Sequence, residues 1–309
     1  MNILVTGGAG FIGSHVVDAY LDQGYRVSVL DDLSHGKREH LPSQVPLYVV
    51  DMCRPEVEDV FAQVRPDVLN HHAAQIDVRK SVADPVDDAR VNILGSLNLF
   101  QLCVKFGVHK VIFASTGGAI YGEQDSFPAT EDHPKRPISP YGVAKLSVET
   151  YLHFFRVVHD LSSVCLRYAN VYGPRQDPLG EAGVVAIFSR RFLQNEGPII
   201  NGDGTQTRDY VYVEDVAQAN LLALKQETSD IFNIGTGTET DVNTICNMLW
   251  KLTGADTEPT HGPACPGEQL RSVIDAAKAE RSLGWRSKIS LEEGLRRTVH
   301  FFRNLHEKS

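Results

Sequence analysis

A chain of 309 residues is long for one simple core and points to two domains, or one large α/β unit with an appended lobe. Thirty basic against 39 acidic residues leave a net charge of −9, which excludes a nucleic-acid polymer held through counterion release. No apolar run reaches the roughly 18 residues of a membrane span, and the opening MNILVTGG carries no signal-peptide pattern. Five scattered cysteines (Cys53, Cys103, Cys165, Cys246 and Cys265) form no CxxC pair. Reduced thiols and a cytoplasmic location are therefore expected, with no disulfide framework or zinc site.

In chain order, short β-branched runs alternate with helical patterns. Strands are expected at Asn2–Thr6, Arg26–Asp31, Leu47–Val50, Asp67–His71, Lys110–Ser115 and Ser163–Tyr168. Helices are expected at Phe11–Gln23, Pro55–Val64, Val86–Phe106 and Tyr141–His159, the last introduced by Ser139-Pro140. Continuous apolar strands separated by helices predict a doubly wound parallel sheet of Rossmann type, covered on both faces. After Gly173-Pro174 the texture changes to a smaller mixed α/β lobe, with YVYV at Tyr210–Val213, a helix at Glu214–Leu224 and a strand at Ile231–Ile234. Two more helices are expected at Ala276–Leu283 and Leu291–Phe302. The division read from this is 1–170 for a dinucleotide-binding domain, with returning segments near 208–236, and 171–309 mainly for a substrate lobe.

Between the first strand and the first helix stands Gly7-Gly8-Ala9-Gly10-Phe11-Ile12-Gly13. Gly7 can supply the tight turn, Gly10 lets backbone approach a pyrophosphate at the positive helix end, and Gly13 permits close helix packing. Its place after the first strand, more than the pattern itself, makes this a dinucleotide signal. Eighteen positions after Gly13 the second strand ends at Asp31, followed by Asp32. A carboxylate there accepts hydrogen bonds from ribose hydroxyls and repels a 2′-phosphate, favouring NAD over NADP. Asp32 also reads as a solvated turn residue, and Lys37 and Arg38 lie close by.

Tyr141 and Lys145 stand at i and i+4 near a helix start, so they share one face. A phenol with an ordinary pKa near 10 is a poor base. An ammonium and an oxidised nicotinamide beside it would favour the phenolate, allowing Tyr141 to move a proton at a substrate hydroxyl while hydride moves to or from the cofactor. Upstream, Ser115 and Thr116 end the fifth strand, where a hydroxyl can bridge substrate and Tyr141 or simply cap the strand end. The paired His71-His72 reads as packing or a cofactor-side position. No HxH, HExxH or two-His-one-carboxylate spacing is present, so no catalytic metal is expected.

These residues resemble the extended short-chain dehydrogenase/reductase family, in particular its UDP-glucose 4-epimerase (UDP-galactose 4-epimerase) branch. The resemblance covers nearly the whole chain through TGGAGFIGSH, Asp31-Asp32-Leu33-Ser34, HHAAQ, VNILGS, STGGAIYG, SPYGVAK, LRYANVYGPRQDP, RDYVYVEDVA and FNIGTG. It implies an NAD-dependent isomerase inverting C4 of a UDP-hexose through a 4-keto intermediate. Tyr141 would be acid and base, Lys145 would position the nicotinamide ribose, and Thr116 would contact the 4-hydroxyl. Asp51-Met52 would face adenine, with Ala73-Ala74-Gln75 and Asn92 beside the cofactor. Asn170 and Arg208 would hold the UDP diphosphate. Epimerases usually carry a further diphosphate-gripping Arg at the position of Cys265, which Arg271 could replace. Ser272 falls where glucose-restricted epimerases have a bulky Tyr, so UDP-GlcNAc and UDP-GalNAc are expected to fit as well. A nucleotide-sugar 4,6-dehydratase or oxidoreductase is the alternative; dehydratases carry Asp-Glu just before the Tyr-Gly where this chain has Gly118-Ala119-Ile120. The family also implies a homodimer through helices Val86–Phe106 and Tyr141–His159, with Phe154, Phe155, Val157 and Val158 as surplus apolar residues.

Overall fold

The computed structural model describes residues 1–179, 183–264 and 269–307. The first half runs Asn2–Thr6 (β1), Phe11–Asp22 (α1), Arg26–Asp31 (β2), Leu47–Val49 (β3), Val57–Val64 (α2) and Val68–His71 (β4). It continues with Val78–Ala83 (α3), Pro85–Ala89 (α4), Ser96–Phe106 (α5), Lys110–Thr116 (β5), Gly117–Ile120 (α6), Pro140–His159 (α7) and Ser162–Tyr168 (β6). The second half adds Asn170–Tyr172 (β7), Val184–Leu193 (α8), Ile199–Asn201 (β8), Thr207–Tyr212 (β9), Val213–Ala223 (α9) and Asp230–Ile234 (β10). Glu239–Asp241 (β11), Val242–Thr253 (α10), Thr260–Gly262 (β12), Arg271–Ser272 (β13), Ala277–Leu283 (α11) and Leu291–His306 (α12) complete it.

Among the described residues, seven strands form the main sheet in the order β10-β6-β5-β4-β1-β2-β3. Every pairing in it is parallel. Parallel strands joined by crossover helices are buried on both faces, which is why β1 and β5 read as unbroken apolar runs. One face packs Val16, Val17 and Tyr20 of α1 and Val216 of α9 against Ile3 and Val5. The other packs Leu99 and Phe100 of α5 and Val148 and Leu152 of α7 against Leu4 and Leu69. Strand order reverses between β1 and β4, and a doubly wound sheet opens its ligand crevice beyond the carboxyl ends at such a point.

In the second half, β9 lies between antiparallel β11 and parallel β13 and also pairs with β7. Helices α8, α10 and α12 share a separate core around Phe188, Ile245, Leu249 and Leu295. Strand β10 leaves this lobe and joins the main sheet beside β6.

The helix expected over Val86–Phe106 is present, unbroken from Pro85 to Phe106, but its middle is not α-helical. Between α4 and α5 the chain makes a wide π turn at Arg90–Gly95. The turn leaves Asn92 buried, with its amide accepting from Gln75 N at 2.8 Å and donating to the Gln75 carbonyl at 2.9 Å. π turns are often functional insertions of this kind. Sequence reading also passed over α8 and α10, which lie among glycine and proline punctuation. Asp241 caps α10 by accepting from Thr244 N. No helix among the described residues is long and apolar enough to cross a membrane.

Candidate active site

The three glycines of the first loop are required for different reasons. Gly7 has φ +66°, and a Cβ there would stand 2.6 Å from Ala73 N, so the turn and the loop after β4 touch backbone to backbone. A Cβ on Gly13 would collide with the Gly7 carbonyl oxygen. At Gly10, the residue before α1, the nearest atom to an added Cβ is that same oxygen, at 3.2 Å. Apart from its two chain neighbours, no other described residue comes within 4 Å of that position, so Gly10 with Phe11 and Ile12 presents an open helix N-terminus, a natural seat for a pyrophosphate. These residues fit a dinucleotide.

Asp31 is buried at the end of β2, where its carboxylate accepts from Ala9 N and Leu33 N, both at 2.9 Å. Burial raises its pKa, against the lowering effect of those two amides. It therefore fixes the glycine loop as well as standing at the ribose position. Asp32 is exposed and closes a turn, accepting from Ser34 N at 2.9 Å and Ser34 Oγ at 2.6 Å. The Arg38 guanidinium donates to the carbonyls of Pro42, Ser43 and Val45, which turns it to its own loop. Asp51 accepts from Cys53 N at 2.9 Å, and Met52 is buried in the core beside α5. Ala73 N donates to Thr6 O, and half-buried Ala74 precedes the buried Gln75 held by Asn92. His71 bridges Thr6 Oγ1 at 2.7 Å and Ser96 Oγ at 2.9 Å, tying β4 to β1 and α5.

Tyr141 and Lys145 lie one turn apart at the start of α7, which Ser139 caps by accepting from Gly142 N. The Lys145 ammonium is buried, donates to the Ala114 carbonyl at 2.9 Å and sits 5.8 Å from the Tyr141 ring centroid. Burial pushes its pKa down to about 8, against the opposing pull of the Asp88 and Glu149 carboxylates. The two candidate hydroxyls separate clearly. Ser115 Oγ is buried and donates to Glu149 Oε1 at 2.6 Å. Thr116 caps α6, and its Oγ1 would lie 3.9 Å from a Cβ on Gly118. Around that same point stand Asn170 Oδ1 at 3.8 Å and Ser272 Oγ at 4.0 Å. Three polar groups from β5, β7 and β13 thus converge on an open position beside α7.

Beyond this point a cavity of about 160 Å³ is lined by Asn170, Gly183, Val184, Arg208, Tyr210 and Val242, among others. Helix α8 presents its N-terminus there, and its preceding residue Gly183 gives no side-chain cap. Arg208 and Ser272 are register partners on β9 and β13. Arg271 forks onto Glu239 at 2.9 and 2.7 Å and lies 3.7 Å over the Phe127 ring. Cys265 lies outside the described residues. Among those residues no three His, Cys, Asp or Glu side chains converge on a common point. Sequence reading missed Glu149, Arg167 and Tyr121 under the site, although Glu149 stands at i+4 from Lys145 and so on its face.

A family model described as "NAD dependent epimerase/dehydratase family" matches residues 3–235. The chain belongs to that family. NAD is its cofactor, and the Rossmann-type sheet is the fold it shares with solved relatives. A UDP-glucose 4-epimerase from Thermotoga maritima, solved with UDP-glucose, superimposes with a TM-score of 0.97 at 52% identity, covering 99% of this chain and 100% of that one. The Thermus thermophilus UDP-glucose 4-epimerase, solved with NAD, gives 0.93 at 47% identity, covering 98% and 99%. A UDP-N-acetylglucosamine 4-epimerase from Methanobrevibacter ruminantium, in complex with UDP-N-acetylmuramic acid, gives 0.93 at 35%, covering 98% of each chain.

Proposed function

We propose that the protein inverts C4 of a UDP-hexose, interconverting UDP-glucose and UDP-galactose through a transient 4-keto sugar. The surroundings of Gly118 carry this reading: Thr116, Asn170 and Ser272 offer neutral polar groups there, beside Tyr141 and Lys145 on α7. In the alternative, a 4,6-dehydratase, elimination across C5 and C6 needs an additional acid and base. Gly118-Ala119-Ile120, where dehydratases carry that pair, supplies neither. Relatives of both known sugar classes match at high coverage, which supports the substrate class.

When bound, NAD supplies a reversible hydride acceptor for C4. The seat for its pyrophosphate is Gly7, Gly10, Phe11, Ile12 and Gly13; Asp31 and Asp32 take the adenosine ribose, and Asp51-Met52 the adenine. Ala73, Ala74, Gln75 and Asn92 stand on the cofactor side, and Tyr141 and Lys145 reach the nicotinamide ribose. Tyr141 removes the 4-hydroxyl proton and later returns it; the Lys145 ammonium stabilises the phenolate between those events. Thr116 donates to or accepts from the 4-oxygen. Asn170 and Arg208 hold the diphosphate while the ketose turns over, Arg208 through the forked geometry that suits phosphate. For Arg271 to join them it must exchange Glu239 for phosphate.

Ser272, buried on β13, leaves room beside the sugar where a larger side chain would fill it. We therefore include UDP-GlcNAc and UDP-GalNAc as substrates. Residues 1–170, with the returning 208–236, make up the NAD-binding half, and 171–309 mainly the UDP-sugar lobe. The reading includes a homodimer, supported by α7, where Phe154, Val157 and Val158 are exposed at 46%, 68% and 58%, whereas Phe155 is buried in the core. The described cysteines are all free thiols, which supports a cytoplasmic setting. Incubation with each of the four UDP-sugars, without added NAD, tests the substrate class. Interconversion within each pair is expected; a 6-deoxy product or accumulating NADH would overturn the reading.

A further inference from the structure

Under the catalytic helix lies a buried polar network that the proposed reaction does not use. Glu149 and Arg167 form a forked pair, Nε to Oε1 at 2.9 Å and Nη2 to Oε2 at 2.6 Å, with both side chains almost wholly buried. Ser115 donates to Glu149 Oε1, and Arg167 Nη1 donates to Tyr121 Oη at 2.9 Å. Tyr121 in turn donates to Asn233 Oδ1 at 2.7 Å. The network ties α7 to β5, β6, α6 and β10. Replacing such a pair by apolar residues is often neutral or better for stability, so stability alone is a weak reason for a charged group here.

We infer that Glu149 is a positioning residue: gripped by Arg167 and Ser115, it fixes the rotation of α7 and supplies the counter-charge that keeps the Lys145 ammonium beside Tyr141. The inference rests on the epimerase reading of Tyr141 and Lys145. Residues four apart share a helix face, so the carboxylate stands one turn below the ammonium. Ser115 immediately precedes Thr116, so the same carboxylate also anchors the strand end that presents the substrate-side hydroxyl. The groups that bear on Lys145 come from every side: Asp88 from α4, His71 and His72 from the end of β4, Glu149 and Tyr141 from α7 itself. His71 and His72 are held neutral, chiefly by burial, so the negative charge comes from Asp88 and Glu149. Facing Glu149 are Arg167 and Cys165 on β6 and Lys135 before α7. Burial holds the Cys165 thiol neutral.

The test measures Lys145 itself in the purified protein, by the pH dependence of its ¹³Cε resonance in ¹³C-lysine-labelled protein, assigned with Lys145→Met. Glu149→Gln is expected to move the Lys145 midpoint down by roughly one pH unit. Glu149→Asp, which keeps the charge, is expected to hold it near the wild-type value. In the epimerase assay Glu149→Gln should lower kcat roughly twofold at about pH 7 and roughly tenfold above about pH 9, with KM nearly unchanged and the alkaline limb displaced downward by the same interval. If leaving Arg167 unpaired prevents folding, Glu149→Gln/Arg167→Met removes both charges, and a smaller downward displacement is expected, because the repulsion from the guanidinium is lost with the attraction of the carboxylate. An unmoved Lys145 midpoint in whichever variant folds would overturn the inference. The resonance reads Lys145 whether or not the protein turns over sugar, so failure of the epimerase reading would show separately, as an inactive wild type.

Discussion

Lys145 holds its ammonium 5.8 Å from the centroid of the Tyr141 ring, one helical turn away, while donating a 2.9 Å hydrogen bond to the Ala114 carbonyl. The lysine is thereby tied to β5, with its ammonium near the tyrosine ring on the same face of α7. In the proposed mechanism this pairing, and not the glycine loop, separates a redox-competent site from a mere nucleotide seat.

Removing only the phenolic oxygen isolates the proton transfer. Tyr141→Phe should fold normally, retain its NAD and lose roughly 10²–10⁴-fold in kcat. Steady-state kinetics beside an absorbance measurement of bound cofactor checks both halves of that statement. Unchanged turnover would remove Tyr141 from the mechanism.

The pH dependence follows from the sign of the Lys145 shift. Burial lowers its pKa to about 8, so the ammonium is present below that pH and lost as pH rises through it. Activity should therefore fall above about pH 8 with a single-proton slope. Lys145→Met should be slow across the range and lack that limb. A pH–kcat profile of both proteins decides it.

Glycine substitutions should split by cause. Gly7→Ala meets Ala73 N and a positive φ, so it should lower Tm and cofactor content together. Gly10→Ala meets only the Gly7 carbonyl oxygen at 3.2 Å and should keep most of its stability while losing NAD. Equal losses of Tm in the two variants would contradict the assignment of Gly10 to the pyrophosphate.

Acid should destabilise the fold through partly buried histidines. Burial lowers His15 to about 4 and His72 to about 3, so both are neutral in the native state. The unfolded chain binds those protons first; the stability is complete above about pH 6.5 and is lost as pH falls toward the native values. Each histidine contributes a slope of about 1.4 kcal/mol per pH unit in that window. Denaturant midpoints between about pH 7 and pH 5 measure it. His15→Gln should flatten the dependence, and an unaltered slope would count against the burial argument.

The main sheet was legible because strands buried on both faces leave continuous apolar runs, and the glycine loop because its place between β1 and α1 constrains it. The Tyr141–Lys145 pair was legible from helical spacing together with its place on the helix after the fifth strand. The π turn at Arg90–Gly95 was not, because its cause is tertiary: Asn92 turns inward to hold Gln75. Neither could spacing choose between Ser115 and Thr116, which are neighbours on a strand with opposite surroundings, one on buried Glu149 and one by Gly118. Arg271 was read as a replacement phosphate ligand because its partner Glu239 is remote in sequence and only the pairing of β9 with both β11 and β13 brings them together.

The most direct test follows a hydrogen. UDP-glucose deuterated at C4 should yield UDP-galactose with the deuterium still on C4 and none in solvent, because the hydride returns to the carbon it left while Tyr141 exchanges only the hydroxyl proton. Deuterium appearing at C6, the signature of elimination, would contradict the account.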